Sequence, residues 1–515
     1  MTCLLFLLAL SGCAGPPASL EDLLRERPVA EVNPSGRVPL GALIRLRTTA
    51  EVSAEVTVLG DEPVTRRYPA AATEWELPVL GLYPGVDNRV ALALTTTDGR
   101  TFHDTLSIAT APLPDFFPRI AVTRADRERM EPGLHLIDLL IAKDGKFLPY
   151  TVFFDDRGTV RWYMDLSENE QITYTPHRLE NGNWLYLNWI DILEVDDLGR
   201  TVRQEQMWNN AGNHEVIEMP GRQLLMGGSA KDSYVLRDGQ RIPTRFDHAV
   251  LWDREKNETA RSWDMREVLD VGRRVFPPDF GLDPSTDWFH VNALFPTDDG
   301  GLIVSGRNQG VVRVTEDNRP RWILAPHRQW GRAGFDGRGA PTGSYLLTAV
   351  DSSGTPYPRE VQNGSVSAPD FDWPMGQHAV SLLENGNLLL FDNGLRRNFG
   401  PAGSYSRAVE YAIDEEQKTV RQVWQYGKER GLDFYSPVTS DVDVLPATGN
   451  RLITSGNVRR GREAPHAEIT EITYPEGDEV FTAKIYFQDA MGTGAESWAQ
   501  FDLVFRGERY PLIPD

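Results

Sequence analysis

Apolar and polar positions alternate in short runs along most of this chain, and turn residues cut the runs before any helical spacing develops. Residues 28 to 113 show the pattern in "LIRLRTTA", "AEVTVLG", "RVALALTTTDG" and "TFHDTLSIAT", parted by "LYPGVDN" and "TTDGR". Strands so spaced predict a small β-sandwich. "APLPDFFPRI" marks its end, so the expected division is a linker over 14–27, a sandwich over 28–115 and a second domain over 116–515.

The second domain repeats one motif: a strand, a turn that usually bears glycine, and an apolar strand. It occurs as "YTPHRLENGNWLYLN" (174–188), "HEVIEMPGRQLLMGG" (214–228), "HVNALFPTDDGGLIVSG" (290–306), "HAVSLLENGNLLLFD" (378–392) and "DVDVLPATGNRLITSG" (441–456). Most copies run on into another hairpin ending near a tryptophan, as in "RTVRQEQMW", "RPRWIL" and "KTVRQVWQYG". "LIDLLIAKDGKFLPYTVFFDDRGTVRWYM" precedes them as a further unit. Six four-stranded units predict an all-β fold, a six-bladed β-propeller behind the sandwich.

The register brings chemistry into view. The aligned segments begin with Tyr174, His214, His290, His378 and Asp441. Equivalent positions on the innermost strands of a propeller face one another across its channel, so His214, His290 and His378 are expected to meet at one mouth. His177, His103, His248, His327 and His466 fall outside that register and are given no role. Three histidines suit a metal or nucleophilic and acid–base chemistry. Arg307 of "SGRNQ", expected beside His290, argues against a dication and with Asn292 suggests an anion clamp.

"DWFHVNAL", "SGRNQG", "GQHAVSLLENGNLLLFDNG", "NHEVIEMP" and "YSPVTSDVDVLP" together resemble the bacterial aryl-sulfate sulfotransferases. That resemblance implies a six-bladed propeller with an N-terminal sandwich. It also implies sulfuryl transfer from a phenolic sulfate ester to another phenol, through a sulfohistidine and without a nucleotide sulfate donor, metal or other cofactor. Carried over by motif, His378 is the nucleophile. His214, His290, Arg307 and Asn292 bind the sulfuryl oxygens or move protons, and Thr439 is the contact from the last blade. Tyr174 comes from the register alone. Some members of the family carry a disulfide near the site; this chain has cysteines only at positions 3 and 13. Two other readings stay open, a metal-dependent hydrolase with a histidine-lined propeller and a propeller that binds its ligand without turnover.

Net charge bounds the partners. At −21 the chain is not suited to nucleic acid, and a small anionic substrate needs a local basic pocket. The opening "MTCLLFLLALSGCAGPP" is too short to span a bilayer and reads as the core of a signal peptide over 1–13. Its "LSGC" end resembles a lipobox, with Cys13 as the lipidated residue. The expectation is an exported bacterial protein, periplasmic or anchored at the outer membrane.

Overall fold

The structure is a computed structural model that describes residues 17–143, 146–169, 174–274, 286–400, 405–488 and 501–513; Cys3 and Cys13 lie outside them. The chain divides into two compact units, one ending at Pro112 and the other beginning at Leu113.

The first unit is built on two long antiparallel strands, Ala42–Val58 and Val64–Val79. The first half of Ala42–Val58 pairs with Leu24–Val32 and its second half with Asp87–Thr96, which in turn pairs with Thr101–Ala109. Two strands expected from the sequence, "LIRLRTTA" and "AEVTVLG", are therefore one. No glycine or proline separates them, and the pairing shifts register near Val52 without ending the strand.

The second unit has six blades among the described residues, four of them four-stranded antiparallel sheets and two, blades 5 and 6, extended at the outer edge by a fifth strand, which in blade 5 is the parallel Thr348–Ala349. Blade 1 consists of Leu134–Lys143, Lys146–Phe154 and Val160–Asp165, with the C-terminal strand Leu503–Tyr510 as its fourth member. Blade 2 runs from Tyr174–Arg178 through Trp184–Asn188 and Asp191–Val195 to Thr201–Gln206. Blade 3 is formed by Asn210–Met219, Gln223–Ala230, His248–Asp253 and Glu258–Asp264. Blade 4 is formed by Val291–Pro296, Leu302–Gly306, Gly310–Val314 and Pro320–Leu324. Blade 5 holds His378–Leu382, Leu388–Asp392, Arg407–Asp414 and Thr419–Tyr426. In blade 6, Asp441–Val444, Arg451–Val458, His466–Ile472 and Glu479–Tyr486 are joined at the outer edge by Arg119–Ala125. The innermost strand of each of blades 2 to 5 lies beside that of the next blade, and that of blade 6 lies beside Leu503–Tyr510.

This arrangement explains why the second strands are apolar throughout. In blade 5, Leu388 and Leu390 pack into the core shared with blade 4, while Leu389 and Phe391 pack into the core shared with blade 6. Likewise Leu302 and Val304 face blade 3, and Ile303 faces blade 5. Successive side chains point to opposite faces of a sheet, and each sheet is covered on both faces. The tight turns that join the strands use glycine where φ is positive, as at Gly300 (+77°) and Gly386 (+81°).

Closure of the ring rests on Leu503–Tyr510, which hydrogen-bonds along Leu134–Lys143 and contributes Leu503 and Phe505 to the core between blades 1 and 2. A chain ending before Leu503 leaves that edge open and strips one side of this core. It is expected to lose its cooperative melt and to self-associate. A monomer with unchanged melting temperature, by calorimetry and light scattering, would show the closing strand to be dispensable.

Candidate active site

At one end of the channel the innermost strands leave regular geometry. Register shifts interrupt pairing between Asn213 and Val216, Val291 and Ala293, His378 and Ser381, and Val504 and Gly507. Here five non-glycine residues adopt positive φ: His214 (58°), His290 (59°), Ala379 (55°), Thr439 (54°) and Ser440 (85°). Each costs roughly 1–3 kcal/mol and persists only where the surroundings impose it. The bulges turn side chains that a regular strand would direct elsewhere, and the histidines meet.

His214 Nε2 lies 3.1 Å from His290 Nε2, and the ring centroids of His214 and His378 are 6.1 Å apart. All three rings are buried, as are Arg307, Asn292 and Thr439. Phe505 packs on His214 at 5.3 Å and Phe246 on His290 at 5.7 Å, centroid to centroid, giving the site apolar walls. Tyr174 begins the innermost strand of blade 2, opposite Leu187; its side chain lies outside what is described.

Hydrogen-bond partners settle the tautomer of two rings. Asn393 Nδ2 donates to Ser436 O and Thr439 O, both at 2.9 Å, so its Oδ1 is the remaining atom and is an acceptor. His378 Nδ1 faces that Oδ1 at 2.7 Å and Gly376 O at 3.1 Å. With two acceptors in front of it, Nδ1 carries the proton, and the lone pair of the neutral ring is on Nε2. Burial lowers the His378 pKa to about 3 against the opposing hydrogen bond to Asn393, with the charges of Arg307 and His290 acting in the same direction as burial. The ring is therefore neutral at physiological pH.

His290 has a different partner. Its Nδ1 donates to Asp287 Oδ2 at 2.6 Å, and Asp287 is fully buried. A carboxylate there compensates a positive charge whenever the ring takes up a second proton. His214, by contrast, is held well below the ordinary histidine range by burial and then by His290, His378, Arg506 and Arg307. In the neutral pair His290 Nε2 accepts, and His214 Nε2 donates.

The remaining predicted residues fall around these rings. Arg307 N donates to His290 O at 2.9 Å, and its guanidinium charge bears on both His214 and His378. Asn292 Nδ2 donates to Gln377 O at 2.7 Å, which fixes the residue before His378. Thr439 Oγ1 donates to Val438 O at 2.7 Å, within a buried hydroxyl network that includes Ser436 and Ser440.

Sequence reasoning did not single out Asp287 or Asn393, although "DWFH" and "FDNG" contain them; nor did it find Arg273. That arginine is fully enclosed and lines one small cavity with Arg307 and Gln377. It donates to Gln309 O, Gln309 Oε1 and Arg328 O at 3.0 Å each, and burial lowers its pKa to about 9. The histidines set aside as structural do bind locally. His248 pairs with Asp247 at 2.8 Å, His327 donates to Leu347 O at 2.8 Å, and His466 donates to Ala464 O at 2.7 Å. His103 stands on a strand of the first unit and His177 on the innermost strand of blade 2.

A neutral imidazole with its lone pair on Nε2, a buried guanidinium and a histidine–carboxylate pair make a site for transferring an anionic group. Comparison with known proteins agrees. Residues 119–493 match the arylsulfotransferase (ASST) family and residues 29–111 match the arylsulfotransferase Ig-like domain. The arylsulfate sulfotransferase AssT of Escherichia coli O6:H1 is 27% identical over 512 residues, covering 80% of this chain and 82% of that protein. AssT of Lelliottia amnigena is 28% identical over 543 residues, covering 87% and 88%. With its propeller matched almost throughout, the chain belongs to the arylsulfotransferase family.

Proposed function

We propose that this enzyme moves a sulfuryl group from an aryl sulfate to a phenol in two steps, with His378 as the covalent carrier. The observation that carries the reading is the lone pair on His378 Nε2, fixed by the Nδ1–Asn393 hydrogen bond, in a buried site where the Arg307 charge and the His214–His290 pair bear on it. In the first step Nε2 attacks sulfur, the N–S bond forms, and the S–O bond to the aryl group breaks. The departing phenolate takes a proton from His290, whose charge Asp287 had balanced. In the second step the acceptor phenol returns a proton to His290 while its oxygen attacks sulfur and the N–S bond breaks. Protons balance over the cycle, and no cofactor enters.

Charge on the peripheral oxygens of a loose transition state is met by Arg307, itself buried. A phenol ionises near pH 10, so both departure and attack need proton transfer. His290 fits that role better than His214, which burial and neighbouring cations hold neutral. Asn292 serves by fixing the Gln377 backbone. A metal-dependent hydrolase is the less favoured reading, because Arg307 places a fixed positive charge among the rings. The apolar leader and Cys13 support export with a lipid anchor; Cys13→Ser should then release the protein from membranes, and unchanged fractionation would argue against the anchor.

With chelator-treated protein, a chromogenic aryl sulfate and a second phenol, His378→Ala should abolish acceptor-stimulated phenol release. Asp287→Asn is expected to lower kcat by about 10²–10⁴ with KM for the donor nearly unchanged. Wild-type turnover in either variant would remove that residue from the mechanism. Asn393→Leu should also depress kcat, since Nδ1 then has no side-chain acceptor.

Stability offers a separate test of the neutral ring. The unfolded chain binds a proton at His378 near pH 6.5, whereas the folded chain does so only near pH 3. The preference for the neutral ring is fully available above pH 6.5 and is lost as pH falls toward 3, at roughly 1.4 kcal/mol per unit. Between pH 7 and 5 His378→Asn should therefore lose about 2 kcal/mol less stability than the parent. Equal losses, from urea midpoints, would mean that the ring is charged in the fold.

A further inference from the structure

The channel contains a second polar cluster that the transfer reaction does not use. Asp441 and Asp443 stand two apart on the innermost strand of blade 6, so both side chains lie on one face of it. Glu508 stands on the neighbouring innermost strand, Leu503–Tyr510. Each of the three offers one carboxylate oxygen, and these oxygens all lie within 4.8 Å of one another.

We propose that Asp441, Asp443 and Glu508 bind one calcium ion in the channel, joining the last blade to the strand that closes the first. Oxygen atoms around calcium lie at about 2.3–2.6 Å from it, hence no more than about 5 Å from each other, which is the spacing found here. The donors are all carboxylate, with no nitrogen or sulfur, as a hard cation requires.

A second observation points to a ligand. Asp441 is only 4% exposed, yet its Oδ2 has no hydrogen-bond partner, and Asp443 Oδ2 has none either. Such atoms cost free energy unless something positive meets them. The nearby cation is committed elsewhere: Arg506 makes a two-pronged bond to Glu215, at 2.6 and 2.9 Å. Burial pushes Asp441 up to about 6 and Glu508 up to about 8, and Asp443 well above its usual range; the Asp441 charge adds to this at Asp443 and Glu508, and Arg506 opposes it at all three. Asp443 and Glu508 are half-buried, so water can reach the remaining coordination positions.

The ion's structural effect follows from its place. Blade 6 and Leu503–Tyr510 come together only when the ring closes, so an ion held between them binds the closed propeller and not the unfolded chain.

The test is calcium titration of the chelator-treated full chain by calorimetry, with thermal melts in calcium, magnesium and chelator. One saturable site per chain and a higher melting temperature in calcium are expected. Asp443→Asn and Glu508→Gln should each weaken binding at least about tenfold and remove the calcium-dependent rise, with melting in chelator unchanged or raised. Absence of a saturable site, or a site that both variants retain, would overturn the proposal, the latter placing binding on the acidic surface. Stabilisation by both substitutions without any calcium response would show instead that the cluster holds protons. A response to magnesium alone would overturn the choice of ion.

Discussion

The site depends on one carboxamide. Asn393 accepts from His378 Nδ1 with its oxygen and donates to Ser436 O and Thr439 O with its nitrogen. The same side chain sets the tautomer of the ring and ties blade 5 to the loop that enters blade 6. Other amides do related work: Asn213 Nδ2 donates to Val291 O at 2.8 Å between blades 3 and 4, and Asn292 Nδ2 to Gln377 O between blades 4 and 5. Each such bond contributes about 1 kcal/mol net, but losing one leaves a buried polar group that costs about 1–3 kcal/mol. The bonds that hold the blades in register are thus the ones that aim the histidines, so loosening the ring and blunting the chemistry are a single event.

Electrostatics divides the labour among rings of the same type. The amide behind His378 favours a second proton only through its hydrogen bond, and burial and the Arg307 charge together outweigh it. A buried carboxylate behind His290 compensates a second proton. The contrast explains how an acidic protein of net charge −21 accommodates an anionic substrate. The surface is negative, but Arg307 and Arg273 line one small cavity, and the Arg307 charge bears on both His214 and His378. In so dry a place two guanidinium groups outweigh distant surface charge.

Much of this was legible in the chain. Period-2 alternation showed the hairpins, and their repetition showed the propeller. Aligning them put His214, His290 and His378 together because the repeat itself carries the geometry. What stayed hidden is non-local or conformational. Nothing in "LVFRGERY" states that it pairs with "LHLIDLLIAK" more than 350 residues earlier, as Leu503 does with Leu140. Positive φ at His290 or Ala379 is imposed by the neighbouring blades and leaves no glycine to mark it. Asp287 and Asn393 were not singled out, since their importance lies in which ring they face. In the first unit, the strand Val64–Val79 was missed because Pro69 and an alanine run dilute its alternation.

The channel carries its charges in an order that links these parts. His214 is followed by Glu215, whose carboxylate binds Arg506, and Arg506 is two residues from Glu508 in the acidic cluster. Arg506 is among the cations that keep His214 neutral, and it is also the one that moderates Asp441 and Glu508. One guanidinium thus stands between a pocket made for anions and a cluster made for a cation. Its bond to Glu215 crosses from the closing strand to blade 3, so the charge that separates the two sites also braces the channel between them. Removing it would leave Glu215 unpaired beside three further carboxylates. The channel tolerates two opposed electrostatic environments because that bond lies between them, and it exists only when the last strand has closed the ring.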